Sequence, residues 1–177
     1  DPVEKISIVR RWYALGVTWI MPNEDMYLHS KAKFLDEVIS LLWWRAAEEI
    51  FFGADNITTG ASNDFEKATE IITNMIVKYG MDKELWPVYY YDKNQQDYPG
   101  LKTYSEKTAQ VIDEKVQKYI ADCYEQSKKL IIQYKGLIEQ LSVVLLDKEY
   151  LTKEEFESII DDFSKSKAQS KNLKSKI

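Results

Sequence analysis

Histidine and cysteine are nearly missing from this chain, with one of each, His29 and Cys123, in 177 residues. A single cysteine excludes an intrachain disulfide. One histidine and one cysteine, far apart, do not build the usual zinc sets, in which about three protein ligands converge. H-E-x-x-H, G-x-S-x-G and G-x-x-x-x-G-K-[ST] are also absent, so this stretch by itself lacks the parts for the common hydrolytic mechanisms. No apolar run approaches the ~20 residues that span a bilayer, and the start shows no signal-peptide pattern. Positive charge falls short of negative, with 24 Lys and Arg against 29 Asp and Glu and a net charge of -5, which argues against nucleic acid as a partner. Glycine is scarce, at 6 residues, where ~7% of a chain is usual.

What is present is ordinary for a folded soluble domain, with 45% hydrophobic and 30% charged residues and enough length for one real core. Tryptophan, at 5 residues, is unusually frequent. Residues 1–21 hold KISIV and ALGVTWIM, two short runs rich in β-branched residues, separated by Arg10-Arg11. They read as a β-hairpin or edge ribbon, closed by a turn at Pro22-Asn23-Glu24-Asp25. The single histidine, in NEDMYLHSK, reads as a solvated loop residue.

The remainder is helical. Ser30 caps a helix expected over 31–52, with Leu35, Val38, Ile39, Leu42, Ala46 and Ile50 at helical spacing and Gly53 as its stop. A polar loop carries TTGASND. Asn63 and Glu66 then make a capping box for a helix over 63–79. Asp64 stands on its first turn, where the helix dipole and free N–H groups favour a carboxylate. Gly80 ends that helix. Residues 81–103 read as a Tyr-rich surface loop, with Tyr89, Tyr90 and Tyr91 partly packed. Thr103 and Glu106 form a second capping box for C-terminal helices over 104–163. A long helix is expected to about Tyr134, then a break near Gly136, then a helix through Leu137, Ile138, Leu141, Val144 and Leu145. Thr152 and Glu155 cap a last helix over 153–163. Ile120, Cys123 and Leu130 share a stripe, so Cys123 reads as a buried free thiol. Residues 164–177, basic and poor in apolar side chains, read as a disordered tail. The fold class is mainly α, with a small β element at the front.

One stretch is more specific than composition. RAAEEIFFG, TTGASNDFEKATEIITNMIVKYGM, YSEKTAQVIDEKV and LLDKEYLTKEEF, together with DPVEKISIV and ALGVT, resemble the C-terminal peptidase domain of FtsH-type ATP-dependent zinc metalloproteases, over about residues 1–163. The resemblance implies a helical metallopeptidase domain. It also implies that Asp64 is the third zinc ligand, completing a site whose two histidines and general base come from an H-E-x-x-H helix. That helix is expected just before Asp1. ATP and magnesium are implied for a module outside this chain, and a membrane anchor further upstream. By the same resemblance, the strand Leu15, Gly16, Val17 and Thr18 offers an edge to an extended substrate. Unfolded or membrane protein substrates, a homo-hexamer and a place on the cytoplasmic face of a bacterial inner membrane are implied for the full-length protein. The chain itself is expected to be a truncated, inactive piece. A non-catalytic peptidase-like scaffold domain in a ring assembly is the alternative.

Trp12, Trp43, Trp44 and Trp86 stand where the resembled pattern has glycine. Tryptophans at close helix contacts would overpack a core, at ~1–3 kcal/mol each. Either recoded UGA codons, read as glycine in the source organism, account for them and for the scarcity of glycine, or they are true tryptophans repacked into a divergent core.

Overall fold

The structure, a computed structural model, describes residues 3–9, 17–20, 28–85, 87–90 and 104–174. Its elements are β1 (Val3–Ser7), β2 (Val17–Ile20), α1 (Lys31–Leu41), α2 (Trp43–Phe52), two 3-10 turns (Ala54–Asn56 and Thr59–Ala61), α3 (Ser62–Val77), α4 (Glu106–Lys148), β3 (Tyr150–Thr152) and α5 (Lys153–Lys174). The mainly α class with a small front sheet holds. The chain divides into two compact units, Leu28–Gln133 and a second made of Asp1–Tyr27 with Tyr134–Ile177.

The Leu28–Gln133 unit is built on the apolar stripes of α1, α3 and the first turns of α4. Val38, Leu42, Ala68, Ile72, Met75 and Ile76 are buried to 1% exposure or less. Each of the larger side chains in this set, Ala68 excepted, stabilises by roughly 1.5–3 kcal/mol when removed from water. Ser30 caps α1 as expected, its hydroxyl accepting from the Lys33 amide at 3.2 Å. The helix expected over 31–52 is two helices that meet at Leu42, with φ -78° and ψ -7°. Hydrogen bonds run through the joint, from the Leu42 amide to the Val38 carbonyl at 3.0 Å and from Ala46 to Leu42 at 3.1 Å. Gly53 ends α2 at φ 85° and ψ 158°, a region nearly closed to other residues. Gly80, at φ 59°, ends α3 and lets the Met81 amide reach back to the Met75 carbonyl at 3.0 Å.

Ser105 caps α4, its hydroxyl accepting from the Thr108 amide at 3.3 Å; Thr103, of the box expected with Glu106, lies outside the described residues. Between the helices, Tyr90 donates its amide to the Val77 carbonyl at 2.9 Å and meets Tyr104 edge-on at 5.8 Å. Tyr89 stays 56% exposed. Residue 86 and residues 91–103 of the expected loop, Tyr91 among them, lie outside the described residues. Cys123 is buried as expected, and burial pushes its thiol up to about 11.

The other unit corrects three expectations. First, its sheet has three strands in the order β2-β1-β3, both pairs antiparallel. β3 is only three residues long, too short to show a period in sequence. Second, α4 does not break near Gly136 but runs unbroken from Glu106 to Lys148. One interior glycine costs a helix only ~1 kcal/mol, and Phe163 lies at ordinary contact distance, 3.5 Å, from where a Gly136 Cβ would stand. Third, α5 continues to Lys174, past the expected end at 163. The tail has no Gly or Pro between Phe163 and Lys174, and its lysines, Ala168, Gln169 and Leu173 are strong helix formers. Lys167 further anchors it, its ammonium 5.0 Å from the Tyr134 ring centre. The box at the start of α5 is as expected: the Thr152 amide donates to Glu155 Oε2 at 3.1 Å, and the Glu155 amide to Thr152 Oγ1 at 3.4 Å.

Candidate functional site

Asp64 stands on the first turn of α3, as expected, but it is not a cap. The residue before the helix, Ala61, offers no side-chain cap. Asn63 lies inside α3 rather than at its boundary, so the capping box expected from Asn63 and Glu66 is not made. The turn ahead of α3 is capped instead by Thr58, whose Oγ1 accepts from the Gly60 amide at 3.2 Å. Among the described residues the half-buried Asp64 carboxylate has no hydrogen bond or ion pair. A partly desolvated carboxylate at the positive end of a helix, with both oxygens free, is a ready cation ligand. Its donor chemistry therefore fits a divalent metal. Among the described residues no group of three or more His, Cys, Asp or Glu side chains could hold one, so any such site needs further ligands.

What stands behind the loop was not legible in sequence. Glu48, on α2, is 6% exposed, an unusual depth for a carboxylate. Thr58 Oγ1 donates to Glu48 Oε1 at 2.5 Å, and the Thr58 amide to Oε2 at 3.2 Å. The Trp44 indole N–H donates to Oε1 at 3.2 Å. The Thr58 hydroxyl above all, aided by the Thr58 amide, the Trp44 indole and the Arg45 charge and against the effect of burial, holds the Glu48 carboxyl below the ordinary range. The adjacent Arg45 guanidinium lies 5.2 Å from the centre of the Phe65 ring, one residue past Asp64. Gly60 fits this corner because a Cβ there would stand 3.3 Å from Thr58 Oγ1 and 3.4 Å from Trp44 Nε1. The only sequence signal for the arrangement was the polar Glu48 inside an apolar run.

Neighbouring residues secure α2 to α4. The Tyr124 hydroxyl donates to Glu49 Oε2 at 2.5 Å, and Lys128 pairs with Glu49 Oε1 at 3.0 Å. The Tyr124 hydrogen bond, then Lys128, lowers the Glu49 pKa. Trp44 is 52% exposed and Trp43 half-buried, so overpacking does not arise at Trp44. Trp12 and Trp86 lie outside the described residues. His29 is exposed, as expected, with its ring stacked on Phe34 at 5.5 Å.

Of the expected substrate strand, Leu15 and Gly16 lie outside the described residues. Val17 and Thr18 open β2, opposite Ser7 and Ile6 of β1. Among the described residues β2 is an outer strand of the sheet. The exposed face of α3 beyond Asp64 carries a shallow, open groove along Phe65, Glu66, Thr69, Glu70, Thr73 and Asn74, all on this one helix. No helix of the described residues is long and apolar enough to cross a membrane.

The sequence model of peptidase family M41 matches residues 1–159. An ATP-dependent zinc metalloprotease FtsH of Thermotoga maritima is 41% identical over 168 residues, covering 92% of this chain and 27% of its own length. A second FtsH, of Pseudothermotoga lettingae, is 39% identical over 166 residues, 90% of this chain and 26% of its own. The mitochondrial inner membrane m-AAA protease component yta12 of Schizosaccharomyces pombe is 39% identical over 160 residues, 90% of this chain and 20% of its own. The chain thus spans about a quarter of the length of these curated relatives. With the family match running from the front sheet through the Asp64 helix and into α5, the chain belongs to peptidase family M41.

Proposed function

We propose that this chain is the greater part of the peptidase domain of an ATP-dependent zinc metalloendopeptidase, with Asp64 as one of its zinc ligands. The observation that carries the reading is the unpartnered, half-buried Asp64 carboxylate on the first turn of α3, in a chain similar over 90% or more of its length to proteins named as zinc metalloproteases. The given sequence contains no H-E-x-x-H. In the proposed whole protein that motif supplies two imidazoles and a general base. Asp64 and those two imidazoles would hold a zinc ion, which would supply Lewis-acid polarisation of a peptide carbonyl and an acidified water. Within this chain, Asp64 holds its place on a rigid helix, and its negative charge lies where the α3 dipole stabilises it. The groove along Phe65, Thr69 and Thr73 is the proposed seat of the upstream helix.

The outer strand β2, with Val17 and Thr18, is the proposed substrate edge, with Leu15 and Gly16 just before it. Main-chain pairing there suits a protease with little sequence preference. Unfolded or membrane proteins as substrates, ATP and magnesium in a separate module, a homo-hexameric ring and a membrane-anchored position belong to the same proposal.

The test is metal content and peptide cleavage by the full-length protein with Asp64→Asn and Asp64→Ala. Both variants are expected to lose stoichiometric zinc and at least 100-fold of cleavage, as roughly follows from removing one of three ligands. Full zinc and full cleavage in Asp64→Ala would overturn the assignment. Intact zinc binding with no cleavage in the unmutated full-length protein would favour the scaffold alternative.

A further inference from the structure

Glu48 is the most deeply set carboxylate next to the Asp64 loop, and it is fully engaged. Three donors, from Thr58 twice and Trp44 once, occupy its two oxygens. That leaves about one lone-pair site free, so Glu48 is not itself suited to ligate a cation. Its partners show what it holds. The Thr58 hydroxyl both donates to Glu48 and accepts from the Gly60 amide. One oxygen thus ties α2 to the turn Thr59–Ala61. Ala61, at the end of that turn, is 0% exposed, and the next residue, Ser62, already has helical backbone angles. From Thr59 to Asp64 every residue thus lies in the 3-10 turn or in α3. Gly60 is pressed under the same corner, with Thr58 Oγ1 and Trp44 Nε1 both within 3.4 Å of its missing Cβ.

We propose that the Trp44–Glu48–Thr58 clamp is the positioning device for Asp64, with Glu48 at its centre, so that a carboxylate that does not touch the metal sets much of the metal affinity. The inference rests on the reading of Asp64 as a zinc ligand. Ligating groups function only when held within about 0.5 Å of the working geometry. Loss of the groups that hold a ligand typically costs 10–100-fold in metal affinity. Trp44 is the smaller contributor, because without its N–H Glu48 keeps both Thr58 donors.

The experiment uses the full-length protein, stripped of metal and titrated with zinc against a competing chelator. The variants are Glu48→Gln, Thr58→Val, Thr58→Ser, Trp44→Phe and, as a control on the underlying reading, Asp64→Asn. Hydrogen exchange of the metal-free protein is followed over residues 58–64. Glu48→Gln and Thr58→Val are expected to weaken zinc about 10–100-fold and to speed exchange over 58–64, with exchange across α1 and the rest of α3 unchanged. Thr58→Ser keeps the hydroxyl and is expected to stay near wild type, with Trp44→Phe in between. Should Glu48→Gln fail to fold, the Thr58 pair carries the test. Wild-type affinity in Glu48→Gln and Thr58→Val beside a weakened Asp64→Asn would overturn the clamp alone. So would faster exchange throughout the Leu28–Gln133 unit, the mark of a merely structural role. Wild-type affinity in Asp64→Asn would instead overturn the zinc reading itself.

Discussion

Tyr119 links three elements of the Leu28–Gln133 unit through one hydroxyl. The hydroxyl donates to Asp82 Oδ2 at 2.9 Å and accepts from Lys31 Nζ at 2.6 Å. Burial first, and then the hydrogen bond to Asp82, pushes the Tyr119 phenol up to about 12. For Asp82 burial is the largest influence and acts upward. It is outweighed by the Glu84 amide, the Tyr119 hydroxyl, the Lys115 charge and the Leu85 amide, so the net shift is downward. The signs follow. A phenol whose folded pKa is raised favours folding fully below its unfolded value near 10, and that contribution fades as pH rises from about 10 to about 12. The Asp82 contribution is present above about pH 4 and fades as the carboxylate is protonated. Tyr119→Phe is expected to be less stable than wild type by ~1 kcal/mol at neutral pH, since Asp82 Oδ2 loses its donor. The gap should narrow between pH 10 and 12. Urea unfolding of both proteins across that range checks it, and a constant gap would rule out Tyr119 as the titrating group.

At the scale of elements, two glycines behave oppositely. Gly53 ends α2 with φ 85° and nothing within 4 Å of a Cβ. Gly53→Ala meets no clash but forces a side chain into a backbone region that costs ~1–3 kcal/mol. A destabilisation of that size by urea unfolding is expected. Gly136 lies inside α4, and an added Cβ would sit at ordinary contact distance, 3.5 Å, from Phe163. Gly136→Ala is expected to stabilise by ~0.5–1 kcal/mol, through helix propensity and a less mobile unfolded chain. Loss of stability in that variant would show that the Phe163 contact tolerates no methyl group. The contrast also explains an incorrect boundary: a glycine in a helical pattern reads as a stop, yet only φ and the neighbouring ring decide whether it is one. Ser30, the Thr152 and Glu155 box and the stops at Gly53 and Gly80 were legible because each acts within a turn of its own helix. The far end of α5 was not, because Lys167 meets the Tyr134 ring of another helix.

For the whole molecule, the 177 residues span about a quarter of their relatives' length, and among the described residues no three potential ligands converge. The isolated 177-residue chain is therefore expected to lose zinc on dialysis. Stoichiometric zinc retained after dialysis, measured by elemental analysis, would contradict this and place a complete site within the chain.

The sequence by itself determined the mainly α class, the family and the place of Asp64 on the first turn of a helix. Those features live in local periodicity and in one short motif. Only the tertiary structure decided that Asp64 is free rather than a cap, and that Glu48, ten residues before Thr58, reaches across to hold the loop. It alone decided that α4 runs through Gly136. The Glu48 bonds to Thr58 and the Gly136 contact with Phe163 fall outside any helical period, so no local pattern records them. The carboxylate at Glu48 is stable at that depth only because three donors from folded neighbours meet it.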